Sequence, residues 1–323
     1  MKLLVMGGTL FLGRHIVEAA IKRGHQVTLF NRGLQNPTLF PDVEKLVGDR
    51  DKDLAPLRGR RFDAVIDPSA YTPDQVEALL RTLDDPPGHY AFISSISAYR
   101  TLPPGVRYAE DTARAAGDEG YGALKARTEE ALVAALPDRL TILRPGLIVG
   151  PHDPTDRFTY WVRRLDAGGR VLAPGRRERP IQFIDARDLA DWTIVLAEAQ
   201  VHGTFNAVGP AASLTMASFL EGCNATIGKG AEFQWVPDRE LINAGVQPWT
   251  ELPLWLPEED PEDGGIFLGN NDRAVCNGLR FRPVAETVAD TLAWSHSVAS
   301  LPRSPLAVDT LTPEKEQLLL SRR

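Results

Sequence analysis

The chain has 323 residues, a formal net charge of −7 and two cysteines. This length is sufficient for a main domain with a full hydrophobic core and a smaller second domain. The acidic balance argues against a protein that wraps a nucleic-acid backbone, because such a protein needs a basic face. Cys223 and Cys276 are far apart and the histidines show no ligand spacing, so no metal site and no disulfide scaffold are predicted.

The sequence predicts a cytoplasmic protein without membrane contact. No apolar run approaches about 18 residues, and the chain shows no signal-like segment at its start. Two widely separated cysteines suit a reducing compartment. We expect the partner to be a small-molecule substrate rather than a nucleic acid, with a homodimer as one option for the assembly.

A strand, a glycine-rich loop and a helix come first. The apolar run Leu3 to Met6 predicts a buried strand, the spacing from Gly13 to Lys22 predicts a helix, and a second strand follows from Gln26 to Asn31. Glycines at such a turn permit positive φ and close backbone approach, and the helix N-terminus offers N–H groups to an anion. The loop "MGGTLFLG" therefore predicts a dinucleotide pyrophosphate site that consists of Gly7, Gly8, Thr9, Phe11, Leu12 and Gly13.

Short β-like runs alternate with helical segments through the first half of the chain. These runs end at Asp49, Pro68, Ser95 and Gly146. This alternation is typical of a Rossmann-type, doubly wound parallel sheet in an α/β protein. We predict that residues 1–150 and about 180–200 form the NAD(P)-binding domain, the latter segment adding one strand and one helix to it.

Beyond "VGPHDP" the sequence becomes richer in proline, glycine, tryptophan and arginine. Residues of about 151–179 and 201–300 are predicted to form a smaller, discontinuous substrate-binding domain, and 301–323 a peripheral C-terminal tail with a helix. A pocket with aromatic walls and a few polar groups suits a small molecule. Its candidate residues are Ser97, Asp156, Arg157, Tyr160, Trp161, Trp249 and Trp255. The alternative that the tryptophans form a core stays open, above all for Trp235 and Trp255.

The candidate catalytic residues follow the fifth strand of the predicted sheet. Ser95 lies at the carboxyl end of this strand, the edge where open α/β sheets bind ligands. Downstream, "YGALK" places Tyr121 and Lys125 one helical turn apart. A phenol is a poor acid or base near neutral pH, and a nearby ammonium favours its ionised form. We predict that Tyr121 exchanges a proton with a substrate oxygen, that Lys125 activates Tyr121, and that Ser95 orients the same oxygen.

These motifs resemble the short-chain dehydrogenase/reductase superfamily, over most of the chain and as far as "GLRFRPVAETVADTLAW". The resemblance is to its extended or atypical branch, which includes NAD-dependent epimerase/dehydratase, isoflavone-reductase-like and mRNA-binding-like proteins. It implies a Ser95, Tyr121 and Lys125 triad in which Lys125 also holds the nicotinamide ribose. It further implies cofactor contacts from Asp49 toward adenine, from Ser69, and from the segment Arg144 to Gly150, which includes Pro145 and Gly146.

Departures from the family pattern bear on cofactor and substrate. Leu10 replaces the middle glycine of the usual loop, as in members that read "GGTxFxG". At the end of the second strand, Asn31 stands where an acidic residue would repel a 2′-phosphate, and Arg32 can pair with one, with Arg14 adding charge. NADP is therefore preferred over NAD.

Three functions stay open. The first is an NAD(P)-dependent reductase or dehydrogenase acting on a carbonyl or alcohol of a small molecule. The second is an epimerase of a sugar-nucleotide-like substrate with a tightly held cofactor; Ile181 stands where such enzymes carry an arginine, and Arg179 is a substitute two residues away. The third is a non-catalytic nucleotide- or RNA-binding relative. Ile96 and Ser97 replace the Asp-Glu pair of dehydratases, which disfavours dehydration. Tyr71, Tyr99 and Asp153 are the alternative acid–base groups.

Overall fold

The computed structural model describes residues 1–302, 304 and 307–321. Its strands are β1 (Lys2–Met6), β2 (Gln26–Asn31), β3 (Glu44–Val47), β4 (Ala64–Asp67), β5 (His89–Ile93), β6 (Leu140–Pro145), β7 (Ile148–Val149), β8 (Arg170–Pro174), β9 (Pro180–Ile181), β10 (Ile184–Asp185), β11 (Gly203–Ala207), β12 (Leu214–Thr215) and β13 (Glu232–Val236). Its α-helices are α1 (Phe11–Lys22), α2 (Pro73–Thr82), α3 (Tyr121–Ala135), α4 (Thr159–Asp166), α5 (Ala186–Glu198), α6 (Met216–Ile227), α7 (Asp238–Asn243), α8 (Asp272–Cys276), α9 (Val284–Ser297) and α10 (Pro313–Ser321). Short 3₁₀ helices span Ala55–Leu57 and Ile96–Ala98.

Seven strands form a parallel sheet in the order β11-β6-β5-β4-β1-β2-β3. The order reverses beside β1, where Leu3 pairs with Val27 of β2 and with Ala64 of β4. Ligands bind in open α/β sheets outside the carboxyl ends of the strands at such a reversal. The predicted Rossmann-type fold is thus confirmed, and it places the glycine loop at this edge.

Helices cover both faces of the sheet. Successive side chains of a strand point to opposite faces, so Leu3 and Val5 pack beneath α1 and α5 while Leu4 and Met6 join the core beneath α2 and α3. The strands are buried on both sides, which explains their nearly continuous apolar sequences.

The predicted boundary of the NAD(P)-binding domain is wrong at its C-terminal side. The segment from Gly203 was assigned to the substrate domain, but β11 is the seventh strand of the sheet and pairs in parallel with β6. Helix α8 packs against β11, and Leu279 joins the same core. The expected strand within 180–200 is instead β10, which pairs with β7 outside the main sheet. The sequence predicts a strand at "GTFNA" but not the sheet that it joins, because tertiary contacts decide which strand it pairs with.

The second region packs α4, α6 and α9 around a core with fully buried Phe158, Trp161, Phe219 and Trp255. The C-terminal tail is part of this region rather than peripheral. Leu319 and Leu320 of α10 are buried in its core.

Polar contacts also attach α10, because the Glu316 carboxylate accepts hydrogen bonds from Leu172 N at 2.9 Å and Arg164 Nε at 2.6 Å. Among the described residues, no helix has the length and apolarity to cross a membrane, and no group of three or more His, Cys, Asp or Glu is placed to hold a metal ion.

Candidate active site

The glycine loop forms an open cradle between β1 and α1. Gly7 and Gly8 have φ of +106° and +91°, a region that side chains rarely adopt. A Cβ atom on Gly7 would lie 4.0 Å from its nearest neighbour, Ser69, whereas one on Gly8 would lie 2.6 Å from Leu29 Cδ2. Gly7 thus leaves space at the mouth of the loop, and Gly8 allows the loop to lie on the sheet. The cradle fits a dinucleotide pyrophosphate, as the sequence predicts.

Gly13 packs the helix against the loop. A Cβ atom there would lie 2.9 Å from the backbone nitrogen of Gly8. Helix α1 begins two residues earlier than predicted, at Phe11, so Gly13 lies within its first turn. Leu10, the residue that replaces the middle glycine, is 44% exposed and precedes the helix. Thr9 and Leu12 are buried beside it.

Asn31 has a structural role that the sequence did not indicate. Its side-chain amide donates a hydrogen bond to Gly7 O at 2.9 Å, and its Oδ1 accepts one from Gly33 N at 2.9 Å. Asn31 therefore ties the end of β2 to the glycine loop. Arg32 is exposed next to it. Arg14, which was expected to add positive charge, pairs with Glu18 at 2.8 Å, so its charge is largely balanced.

A buried ion pair beside the cradle escaped the sequence analysis. Arg50 donates to both carboxylate oxygens of Asp67 at 2.9 Å and to Ser69 Oγ at 2.8 Å. Asp67 is fully buried and also accepts a hydrogen bond from the hydroxyl of Tyr90 at 2.7 Å. Burial opposes ionisation, but the Arg50 guanidinium holds the pKa of Asp67 below its usual value. The acidic end of β4 in "AVIDPS" was the available signal.

The remaining predicted cofactor residues lie at the same edge of the sheet. Ser69 Oγ donates to Met6 O at 3.0 Å, which joins the ends of β1 and β4. Asp49 follows β3, and its Oδ1 accepts a hydrogen bond from Asp51 N at 3.1 Å. Pro145 ends β6, and Gly146 packs against Val208.

Arg144 is buried within the sheet and its helices. Its guanidinium forms a buried ion pair with Glu129, with Nη2–Oε2 and Nε–Oε1 distances of 2.6 and 2.9 Å, and the residue is 3% exposed. Ser94 Oγ donates to the same carboxylate at 2.5 Å. This pair joins α3 to β5 and β6, so the implied nicotinamide contact of Arg144 is replaced by a structural role.

Tyr121 and Ser95 meet at the carboxyl end of β5. Ser95 lies near enough to affect the pKa of Tyr121, and its Oγ accepts a hydrogen bond from Ser97 N at 3.0 Å. Tyr121 is the first residue of α3 and is 47% exposed. Burial raises the pKa of Tyr121. The neighbouring Ser95 hydroxyl and the positive charge of Arg157 oppose this rise. The acid–base role of the two residues stays a prediction of the sequence.

Lys125 lies beneath Tyr121 and is hydrogen bonded to the backbone. Its Nζ donates to Ala70 O at 2.7 Å and to Ile93 O at 2.9 Å, and it lies 5.8 Å from the centroid of the Tyr121 ring. Burial lowers the pKa of Lys125 to about 8. Burial has the largest effect on the pKa of Tyr121, followed by Ser95, Tyr71 and Arg157. The activation of Tyr121 by Lys125 stays a prediction.

The sequence analysis named Tyr71 only as an alternative acid–base group and did not identify Gly122 as part of the site. The Tyr71 ring lies 6.1 Å from the Tyr121 ring, at 44% exposure. Gly122 lies so close to Ser97 O that a Cβ atom would overlap it. The direct succession of Tyr121 and Gly122 in "YGALK" was the signal for a close approach of helix α3.

The predicted pocket residues separate into two groups. Ser97 is exposed beside Ser95, and the Arg157 guanidinium lies 5.7 Å from the centroid of the Trp249 ring. Asp156, with φ of +61°, turns the loop that carries Arg157.

The other predicted wall residues are in the core rather than on a pocket wall. Trp161 and Trp255 are fully buried, and Tyr160 is 8% exposed. Arg179 is 2% exposed and bonds Asp238 and the carbonyl of Leu256, so its guanidinium already has protein partners.

Comparison with known proteins agrees with this geometry. Residues 75–208 match the model of the NAD dependent epimerase/dehydratase family. The chain is 29% identical over 213 residues to the chloroplast stem-loop binding protein of 41 kDa b from Arabidopsis thaliana, a match that covers 58% of this chain and 53% of that protein, about half its length. It is 27% identical over 254 residues to the epimerase family protein SDR39U1 from Bos taurus, covering 72% and 82% of the two chains.

Solved structures share the fold. The Thermus thermophilus UDP-glucose 4-epimerase complex with NAD superposes with a TM-score of 0.66 at 18% identity, covering 93% of this chain and 100% of that one. The family match over residues 75–208, the relatives and the shared fold support the resemblance, found in the sequence, to extended short-chain dehydrogenase/reductase proteins of the NAD dependent epimerase/dehydratase family.

Proposed function

We propose that this chain is an NAD(P)-dependent oxidoreductase that acts on a carbonyl or alcohol of a small molecule, with Tyr121 as the acid–base group. The observation that carries the proposal is the packing of the start of α3, where Tyr121 lies, against the turn that follows Ser95 at the carboxyl edge of the sheet. The same edge holds the glycine cradle of Gly7 and Gly8. A proton-transfer group and a dinucleotide cradle at one edge are the two requirements of this chemistry.

Tyr121, Ser95 and Lys125 have different roles in the proposed reaction. A nicotinamide dinucleotide, when bound, supplies the hydride donor or acceptor. Tyr121 donates a proton to the substrate oxygen during reduction, or accepts one during oxidation, while Ser95 hydrogen-bonds and orients that oxygen. Lys125 holds the ends of β4 and β5 together through Ala70 O and Ile93 O, which keeps Tyr121 over the cradle.

We propose NADP as the preferred cofactor, with NAD as the alternative. The exposed Arg32 at the end of β2 is available to a 2′-phosphate, and no carboxylate occupies that position. Several structural neighbours, among them the Thermus thermophilus enzyme, were solved with NAD. A nicotinamide-nucleotide requirement is common to both choices.

Epimerisation is the second candidate, and the family and fold matches favour it. An epimerase oxidises and then reduces its substrate on one retained cofactor, whereas a reductase releases the oxidised cofactor in each cycle. The absorbance of the purified protein in the nicotinamide band, with mass spectrometry of what it releases on denaturation, separates the two. A bound and retained dinucleotide favours epimerisation.

The test of the acid–base assignment compares Tyr121→Phe with Tyr71→Phe, which removes the neighbouring hydroxyl. Activity is followed as interconversion of UDP-glucose and UDP-galactose and as NADPH oxidation with simple aldehydes and ketones. Tyr121→Phe should lower turnover by roughly 10²–10⁴-fold with cofactor affinity retained. Parent-level turnover of Tyr121→Phe would show that the acid–base group lies elsewhere.

An RNA-binding function is the third candidate, because one relative is named a stem-loop binding protein. The net charge of −7 counts against it. Retention of a stem-loop RNA that weakens steeply with salt, and is unchanged in Tyr121→Phe, would favour this function over catalysis.

A further inference from the structure

Two asparagine side chains hold the glycine loop from the end of β2 and the segment that follows it. The Asn31 amide donates a hydrogen bond to Gly7 O at 2.9 Å. The Asn36 amide donates one to Thr9 O, also at 2.9 Å. The backbone nitrogen of Gly7 is held as well, because it donates to Phe30 O of β2 at 2.8 Å. Two alternate carbonyl groups of the loop are thus fixed by side chains that lie 24 and 27 residues further along the chain.

These two hydrogen bonds determine which way the loop peptides face. A trans peptide is planar, so its C=O group and the N–H group of the next residue point in opposite directions. Because Gly7 O faces Asn31, the N–H of Gly8 points away from the end of β2. The bond on Thr9 O orients the N–H of Leu10 in the same manner. N–H groups that are oriented before a ligand arrives bind an anion at a lower entropic cost.

Asn31 also shapes the turn that carries Arg32. Its Oδ1 accepts a hydrogen bond from Gly33 N at 2.9 Å, which closes a turn around Arg32. Gly33 has a φ of +68°, which favours glycine at the end of this turn. The oxygen and the nitrogen of the Asn31 amide are therefore both hydrogen bonded within the chain. Residue 31 stands where dinucleotide-binding folds often place an acidic side chain on the ribose hydroxyls, but here the side chain faces the loop.

We propose that Asn31 and Asn36 form a clamp that pre-organises the glycine loop for the pyrophosphate of a dinucleotide, and that residue 31 makes no contact with the ribose. This inference rests on the proposed function, in which the loop binds a nicotinamide dinucleotide. Asn36 is exposed, so its bond to Thr9 O adds little to the core and chiefly orders the loop. Both asparagines are positioning residues, since they act on the ligand through the loop.

The first test compares Asn36→Gly with Gln35→Gly. Asn36 has a φ of +43°, which glycine adopts without strain, so Asn36→Gly removes only the amide. Gln35→Gly adds the same chain freedom at an exposed neighbour. In calorimetric titrations, Asn36→Gly should bind NADH and NADPH roughly two- to tenfold more weakly than Gln35→Gly does, as expected for one hydrogen bond. Equal affinities of the two variants would overturn the proposal.

Asn31→Asp distinguishes the clamp from a ribose contact. The substitution keeps the shape and the acceptor for Gly33 N, but it replaces the donor that faces Gly7 O with an anionic oxygen. A carboxylate that reached the ribose hydroxyls would raise the affinity for NADH. The clamp predicts the opposite, a fall of NADH affinity by roughly tenfold, because two facing acceptor oxygens repel each other and displace the loop. An unchanged or higher NADH affinity would contradict the clamp.

Hydrogen exchange separates the clamp from the proposed function, because it needs no cofactor. In the cofactor-free protein, the amides of residues 7–12 should exchange roughly two- to tenfold faster in Asn36→Gly than in Gln35→Gly. Equal exchange rates would refute the clamp. A parent chain that binds neither NADH nor NADPH would instead refute the proposed function.

Discussion

The backbone of Gly122 approaches the carbonyl oxygen of Ser97 so closely that a Cβ atom on residue 122 would overlap it. This contact brings the first turn of α3 onto the 3₁₀ turn after β5, and so brings Tyr121 near Ser95. The proposed acid–base pair therefore depends on a residue without a side chain.

Gly122→Ala should separate Tyr121 from Ser95. Backbone atoms have little freedom to move, so we expect a loss of stability of about 1–3 kcal/mol and a larger proportional loss of turnover. Gly222→Ala, in helix α6, is the control, since a Cβ atom there meets nothing within 4 Å. Thermal unfolding and activity measured on both variants check this; parent-like behaviour of Gly122→Ala would contradict the close approach.

Gly13→Val should weaken dinucleotide binding through the loop and not through direct contact with the ligand. The added side chain would press on the backbone nitrogen of Gly8, 2.9 Å from the Cβ position, and displace the cradle. Calorimetric titration with NADPH should show affinity reduced by at least roughly tenfold, about 1.4 kcal/mol. Affinity equal to that of the parent chain would exclude this geometry.

Arg50→Met should destabilise the protein more than most surface changes, because it leaves the fully buried Asp67 without its cation. Breaking such a pair costs about 3–5 kcal/mol. Urea unfolding at neutral pH gives this free energy, and Arg60→Met, which breaks an exposed pair with Glu44, should cost less than about 1 kcal/mol.

The same ion pair predicts a pH dependence of stability. The pKa of Asp67 is lowered in the folded protein despite its burial, since Arg50 favours the charged form. Its contribution is complete above the unfolded pKa of about 3.9 and is lost as the pH falls through the lower folded value. The free energy of unfolding of Asp67→Asn should consequently fall less steeply with acid than that of the parent chain.

Arg32→Ala should discriminate between the two cofactors. If its guanidinium pairs with a 2′-phosphate, the affinity for NADPH falls while that for NADH changes little. Arg163→Ala serves as the control for the loss of one exposed positive charge. Equal losses for both cofactors would remove Arg32 as the discriminating residue and leave NAD as the better candidate.

The sequence by itself determined the features that depend on neighbouring residues. Apolar runs and helical spacing predicted the alternation of strands and helices, and the glycines before α1 predicted the cradle that the positive φ values of Gly7 and Gly8 form. The spacing of Tyr121 and Lys125 predicted that both lie on one side of α3. These patterns can be recognised in the sequence because they repeat over a few consecutive residues.

Only the tertiary structure decided which distant groups meet. Arg50 follows β3 and Asp67 ends β4, and the two residues meet at the carboxyl edge of the sheet although β1 and β2 lie between these strands. Strand β11 completes the sheet by pairing with the outer side of β6. Lys125 meets the carbonyl oxygens of Ala70 and Ile93, which lie far from it in the sequence. Such contacts join residues from separate elements, whose proximity is set by strand order and packing and leaves no periodic trace in the sequence.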